Sequence, residues 1–102
     1  MTYRIDLTVQ ALADLESIHE GIAEHSPQAA DRVYDLLQKS FESLADFPNR
    51  HPRARESARE STEIRQYVDG RHRILFRVLA DSVQILRVRH VAQDDLKPGE
   101  LN

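Results

Sequence analysis

The chain contains no cysteine, which excludes a disulfide framework and a thiolate zinc site alike. It also lacks any long apolar run. The N-terminal Met1-Thr-Tyr-Arg-Ile-Asp-Leu is mixed, and no stretch approaches the length of a membrane span. A cytoplasmic protein with no membrane partner is the expectation. At 102 residues there is material for one domain and one core. With 40% hydrophobic and 30% charged residues, the composition is that of a globular protein and too apolar for a disordered one.

Lysine is absent where charge is densest. Residues 1–49 carry three basic groups (Arg4, Arg32, Lys39) against nine acids, a balance of −6. Residues 50–90 carry ten arginines, no lysine and five acids, a balance of +5. From Val91 onward Lys97 stands against three acids, −2, and the three parts sum to the formal −3. Guanidinium suits bidentate contact with phosphate or carboxylate, whereas a merely soluble surface usually mixes in lysine. The second half therefore suits an anionic partner, with a solvated basic face as the competing reading.

Residues 2–7 alternate, with Tyr3, Ile5 and Leu7 on one side, and predict a half-buried strand. Thr8 is a fitting N-cap for a helix carrying Val9, Leu12, Leu15, Ile18 and Ile22 at spacings of three and four. Ser26-Pro27 restarts a second helix with Ala30, Val33, Leu37, Phe41 and Leu44 on its apolar face, ended by Pro48. So short a connection predicts an antiparallel hairpin. Residues 48–61 (PNRHPRARESARES) read as a long polar loop, with a helical turn allowed around 54–60. Tyr3, Tyr34, Phe41, Phe47 and Phe76 lie on or near apolar stripes and are assigned to the core.

Three strands follow, at about 62–69, 71–79 and 83–91. Register decides what they expose, because a one-residue slip turns every side chain over. A three-residue loop Asp69-Gly70-Arg71 pairs Val68 with His72 and gathers Ile64, Val68, Ile74, Phe76 and Val78 toward the helices. A second three-residue loop at 80–82 adds Leu86 and Val88. The opposite face then holds Arg65, Tyr67, Arg71, Arg73, Leu75, Arg77, Val83, Ile85, Arg87 and Arg89. Strand, helix, helix, strand, strand, strand is an α+β layer fold (β-α-α-β-β-β). One domain over residues 1–94 is expected, with 95–102 as a mobile tail.

Several local patterns resemble one known family in order and spacing. These are Ala13-Asp14-Leu15-Glu16-Ser17-Ile18, Ser26-Pro27-Gln28-Ala29-Ala30-Asp31-Arg32, and the span from Leu44 to Pro48. Gly70-Arg71-His72-Arg73-Ile74-Leu75-Phe76-Arg77-Val78 is similar to a G-x-Y-R-I-x-Y/F-x-V strand, and Val83 to His90 to a closing V-x-I-L-x-V-x-H. The family is that of the ParE/RelE toxins of bacterial type II toxin–antitoxin pairs (plasmid stabilisation toxins), and the resemblance covers residues 3–94. It implies a strand, a helical hairpin and a three-strand antiparallel meander. It also implies a cognate antitoxin as partner; a homodimer or a hetero-oligomer with the antitoxin is the expected assembly. Two activities are implied: ParE-like binding of DNA gyrase, or RelE-like cleavage of mRNA on the ribosome. A third outcome is a non-toxic co-repressor that acts with its antitoxin.

For the nuclease reading the candidate catalytic residues are Arg73, which matches the arginine of the family's Y-R-I motif, with Arg65, His90 and Tyr67. Metal-independent RNA cleavage needs a base for the 2′-hydroxyl, an acid for the leaving oxygen and cations for the phosphorane. The segment Val91-Ala92-Gln93-Asp94-Asp95-Leu96 lacks the arginine and tyrosine that RelE-like members carry there, and the pI near 5.9 is low for docking on RNA. The binding reading rests on Arg65, Tyr67, Arg71, Arg73, Leu75, Arg77, Ile85, Arg87 and Arg89, an apolar centre inside a cationic rim. His72 and His90 are expected as cross-strand neighbours. Without a nearby carboxylate ligand they make a poor metal site, and no metal or cofactor is expected.

Overall fold

The computed structural model describes residues 2–93, 96–97 and 100–101. β1 (Arg4–Leu7) leads into α1 (Val9–Ala23) and α2 (Pro27–Ser43). Two 3-10 turns follow, Pro48–Arg50 and Arg55–Arg59, then β2 (Arg65–Asp69), β3 (His72–Val78) and β4 (Ser82–His90). Thr8 caps α1, its Oγ1 accepting from Ala11 N at 3.1 Å while donating to Leu86 O at 2.9 Å, so the cap also ties the helix to β4. Ser26 caps α2 in the same way, with Pro27 in the first turn. Among the described residues no helix is long and apolar enough to cross a membrane.

The sheet order is β1-β4-β3-β2. β2, β3 and β4 form the antiparallel meander, whereas β1 runs parallel to β4, with Ile5 beside Val83 and Leu7 beside Ile85. The helical hairpin is thus the crossover that parallel pairing requires. The helices bury Ala11, Leu15, Leu37, Phe41 and Leu44 against Ile74, Phe76, Val83, Ile85 and Val88.

The expected register of β2 is overturned. Asp69 pairs with His72, Val68 with Arg73 and Tyr67 with Ile74, around a two-residue Gly70-Arg71 turn. Gly70 has φ +62 and Arg71 does not share that region, as in a turn of type II′. Arg65 and Tyr67 therefore share the helix-side face with Phe76 and Ile74, while Ile64 and Val68 fall on the other side. On β4 a bulge between Leu75 and Phe76 of the partner strand shifts the pairing from Leu75–Arg87 to Phe76–Ile85. The extra residue, Leu86, turns outward, and Val83 and Ile85 turn inward, the reverse of the expectation. Val88 lies on the helix side as expected.

Both shifts have one physical cause: there are two cores. Ala54, Ile64, Leu75, Leu86, Leu96 and Leu101 form a second buried cluster on the face away from the helices. The 48–64 segment and the C-terminal leucines cover that face. The segment is stitched to β2 by Ala54 N–H to Ile64 O at 2.9 Å and Gln66 N–H to Pro52 O at 2.9 Å. Phe47 and Tyr34, expected in the core, are exposed.

Candidate functional site

The outer sheet face is not the open arginine surface that the sequence suggests. Arg73, the centre of that expectation, is only 3% exposed. Its two terminal nitrogens donate to the two carboxylate oxygens of Glu56 at 3.1 and 2.8 Å, and Nε and Nη2 donate to Gln66 Oε1 at 3.0 and 2.8 Å. Glu56 is itself buried and accepts a further bond from Leu96 N–H at 3.2 Å. Burial alone would raise the Glu56 pKa. The hydrogen bonds from Arg73 and from backbone N–H groups outweigh it and hold the carboxyl below its ordinary range. Arg59 Nη2 donates to Leu96 O at 2.7 Å, so an ion pair, a 3-10 turn and the C-terminal segment close over β3 together.

The remaining arginines divide by partner. Arg87 makes a two-pronged bond to Asp14 of α1 at 2.7 and 2.9 Å and donates to Glu100 O at 2.8 Å. The Asp14 hydrogen bond leads the causes that raise the Arg87 pKa. Arg65 ion-pairs with Glu63 at 2.6 Å and donates to His51 O. Arg71 is exposed at the hairpin tip, and Arg89 is half-buried. Arg77 stands apart in that no ion pair among the described residues uses its guanidinium; its Nε, like that of Arg65, is buried without a hydrogen-bond partner.

Two residues expected to form the apolar centre of a contact patch, Leu75 and Ile85, are both 0% exposed and lie in different cores. Neither offers surface to a partner in this conformation. Tyr67, expected outward, packs on the helix-side core and lies against the His51 ring, centroids 4.7 Å apart. The four candidate catalytic residues do not converge. Strand alternation places Arg65, Tyr67 and His90 on the helix side and Arg73 on the other.

His90 is exposed at the end of β4. Its Nδ1 accepts from Ala92 N–H at 3.0 Å, which leaves Nε2 as the proton-bearing atom of the neutral ring. It pairs with His72, the rings 5.9 Å apart and edge-to-face. Desolvation, and then the neighbouring His90, lower the His72 pKa. Among the described residues no group of three or more His, Asp or Glu side chains could hold a metal ion.

Sequence reasoning missed Glu56, Gln66 and Asp14 as the internal partners of the arginines. The signal was present in part, since Glu56 sits within the arginine-rich 48–61 run, but nothing local says that this run folds back over β3.

Comparison with known proteins agrees with this architecture. The family model described as ParE toxin of type II toxin-antitoxin system, parDE, matches residues 5–95. A Caulobacter vibrioides protein named Toxin RelE2 is 37% identical over 86 residues, covering 84% of this chain and 92% of that protein. Toxin RelE3 of the same organism is 33% identical over 89 residues, covering 84% and 91%. Among solved structures, a chain of the chromosomal ParDE TA system from P. aeruginosa superposes with a TM-score of 0.73 at 24% identity, over 88% of this chain and 97% of that one. A chain of the toxin-antitoxin complex RelBE2 from Mycobacterium tuberculosis gives 0.58 at 25% identity, over 91% and 95%.

Proposed function

Because the chain belongs to the ParE/RelE superfamily of type II toxin–antitoxin toxins, we propose that it acts by binding a target rather than by cutting RNA. A cognate antitoxin holds it inactive. The burial of Arg73 in its bond to Glu56 and Gln66 carries this reading. A guanidinium that stabilises a phosphorane must face the phosphate, and this one spends its donors inside the protein. The solved relatives come from a ParDE TA system and a RelBE2 toxin–antitoxin complex, which supports an antitoxin partner here. By resemblance to ParE the target is DNA gyrase, met in the cytoplasm.

A RelE-like ribosome-dependent nuclease is the second reading. The relatives named RelE favour it, together with an exposed imidazole at His90. It requires Glu56 to release Arg73 on the ribosome. A co-repressor without toxicity is the third.

Induced expression in a bacterium separates them. The binding reading expects growth arrest, loss of gyrase supercoiling activity and intact mRNA by primer extension. Cleavage within translated codons that disappears in Arg73→Ala would overturn it, provided the variant is shown to be folded. Normal growth with both activities intact leaves the co-repressor.

A further inference from the structure

At the corner where the sheet ends, β3 outruns β2: Arg65 pairs with Phe76, and Arg77 and Val78 have no partner on β2. A cavity of about 390 Å³ opens there, lined by Tyr3, Asn49, Arg65, Arg77, Leu79 and their neighbours. A second cavity of about 390 Å³, lined by Tyr3, Phe47, Pro48, Asn49 and Arg50, shares Tyr3 and Asn49 with the first. The two make one groove, apolar at the Phe47 end and cationic at the Arg77 end. Three arginines line it against one carboxylate, Glu63, whose oxygens already serve Arg65 at 2.6 Å and Arg53 at 2.8 Å.

Two features of this groove have no structural purpose of their own. The Arg77 guanidinium lines the groove with no ion pair among the described residues, and its Nε, like that of Arg65, finds no hydrogen-bond partner within the chain. Phe47 is held at φ 50, ψ 51, a left-handed conformation unfavourable for a bulky residue and more so before proline, yet its ring is 77% exposed. Strain that neither fills a core nor makes a turn possible only for that residue points to a surface contact. Burial, and then the nearby charges of Arg50 and Arg65, depress the His51 pKa, in keeping with positive potential at this corner.

We infer that this groove docks an acidic segment of a partner protein, a carboxylate side chain bonding Arg77 and an apolar residue lying against Phe47, Pro48 and Tyr3. The mixed character of the groove suits an amphipathic peptide, and its surplus of arginine over carboxylate sets the sign of the charge. The inference rests on the toxin–antitoxin reading, since the antitoxin is the partner that supplies such a segment.

The test measures binding of the full chain to the antitoxin encoded beside it, by calorimetry, with melting curves for every variant. Phe47→Gly and Arg77→Gln each weaken binding by about tenfold or more. Phe47→Gly also melts at or above the wild-type temperature, because glycine relieves the left-handed strain, so its loss of affinity is not a loss of folding. An Asp- or Glu-to-Lys change in the antitoxin that restores affinity to Arg77→Glu identifies the carboxylate. Unchanged affinity in both single variants overturns the groove and leaves the toxin–antitoxin reading intact. An antitoxin that does not bind the wild-type chain overturns both. A single-stranded oligouridylate that binds the wild type and not Arg77→Gln, with antitoxin affinity unchanged, makes the site one for phosphate and overturns the protein segment.

Discussion

At the scale of single residues, the arginines separate into those spent on the fold and those left over. Arg73 belongs to the first kind, and its ion pair with Glu56 is deep enough that losing one partner strands the other. Arg73→Ala or Glu56→Ala is expected to cost about 3–5 kcal/mol in urea unfolding, while the paired change Glu56→Leu with Arg73→Met costs much less than the sum. Additive losses would mean the two groups do not depend on each other. This matters for function, because loss of toxicity in Arg73→Ala alone does not distinguish a missing phosphate contact from a weakened fold. The same residues set the response to acid. His51 and His72 have folded pKa values below the ordinary 6.5, so the unfolded chain binds their protons first. Their contribution is complete above 6.5 and is lost as pH falls from there through the lowered values. Glu56, lowered from 4.5, adds a second loss as pH falls through its own folded value. Melting temperature should therefore fall in two stages from pH 8 to pH 3, and replacing His51 and His72 with Gln should flatten only the first.

At the scale of elements, the helices were legible and the face of the sheet was not. The two caps at Thr8 and Ser26 and the spacing of Leu15, Leu37 and Phe41 are local, and local chemistry determines them; α2 ends at Ser43, ahead of the stop expected at Pro48, which instead opens a 3-10 turn. The register of β2 is a global matter. Alternation arbitrates register only when one face of a sheet is wet, and here Ile64, Leu75 and Leu86 are buried on the face opposite Ile74 and Phe76. A bulge at Leu86 and a Gly70-Arg71 turn, each shifting the count by one, leave no trace in hydropathy. Hence the nine residues proposed for the binding face scattered over both sides, and Leu75 and Ile85 vanished into cores. The second core predicts that its lid is part of the stability of the domain. Leu96→Ala removes a buried side chain and is expected to cost roughly 2–4 kcal/mol. It should also speed amide exchange at Ile64 and Ala54 more than in α1. Equal exchange in both places would mean that the second cluster does not open separately from the first.

At the scale of the whole molecule, charge is divided along the chain, with −6 over residues 1–49 and +5 over residues 50–90. The fold does not simply juxtapose the two sets. Arg87 and Asp14 join them across the sheet–helix boundary, and Arg73 and Glu56 cancel within the basic segment. Among the described residues, Arg50 and Arg77 keep one corner cationic, with Arg71 exposed at the hairpin tip. An uncancelled charge of one sign speeds encounter with a partner of the other sign and adds less to the lifetime of the complex. Association of the chain with its antitoxin should therefore slow by about tenfold or more between roughly 0.1 M and 1 M salt, as the screening length falls from ~10 Å to ~3 Å. The dissociation rate should change far less, because groups buried in the complex are shielded from the salt. Stopped-flow or surface-plasmon kinetics across that range reads both rates. A salt-independent association rate would leave contact at Phe47 and its apolar neighbours as the whole of recognition, and would remove the cationic corner from any part in steering.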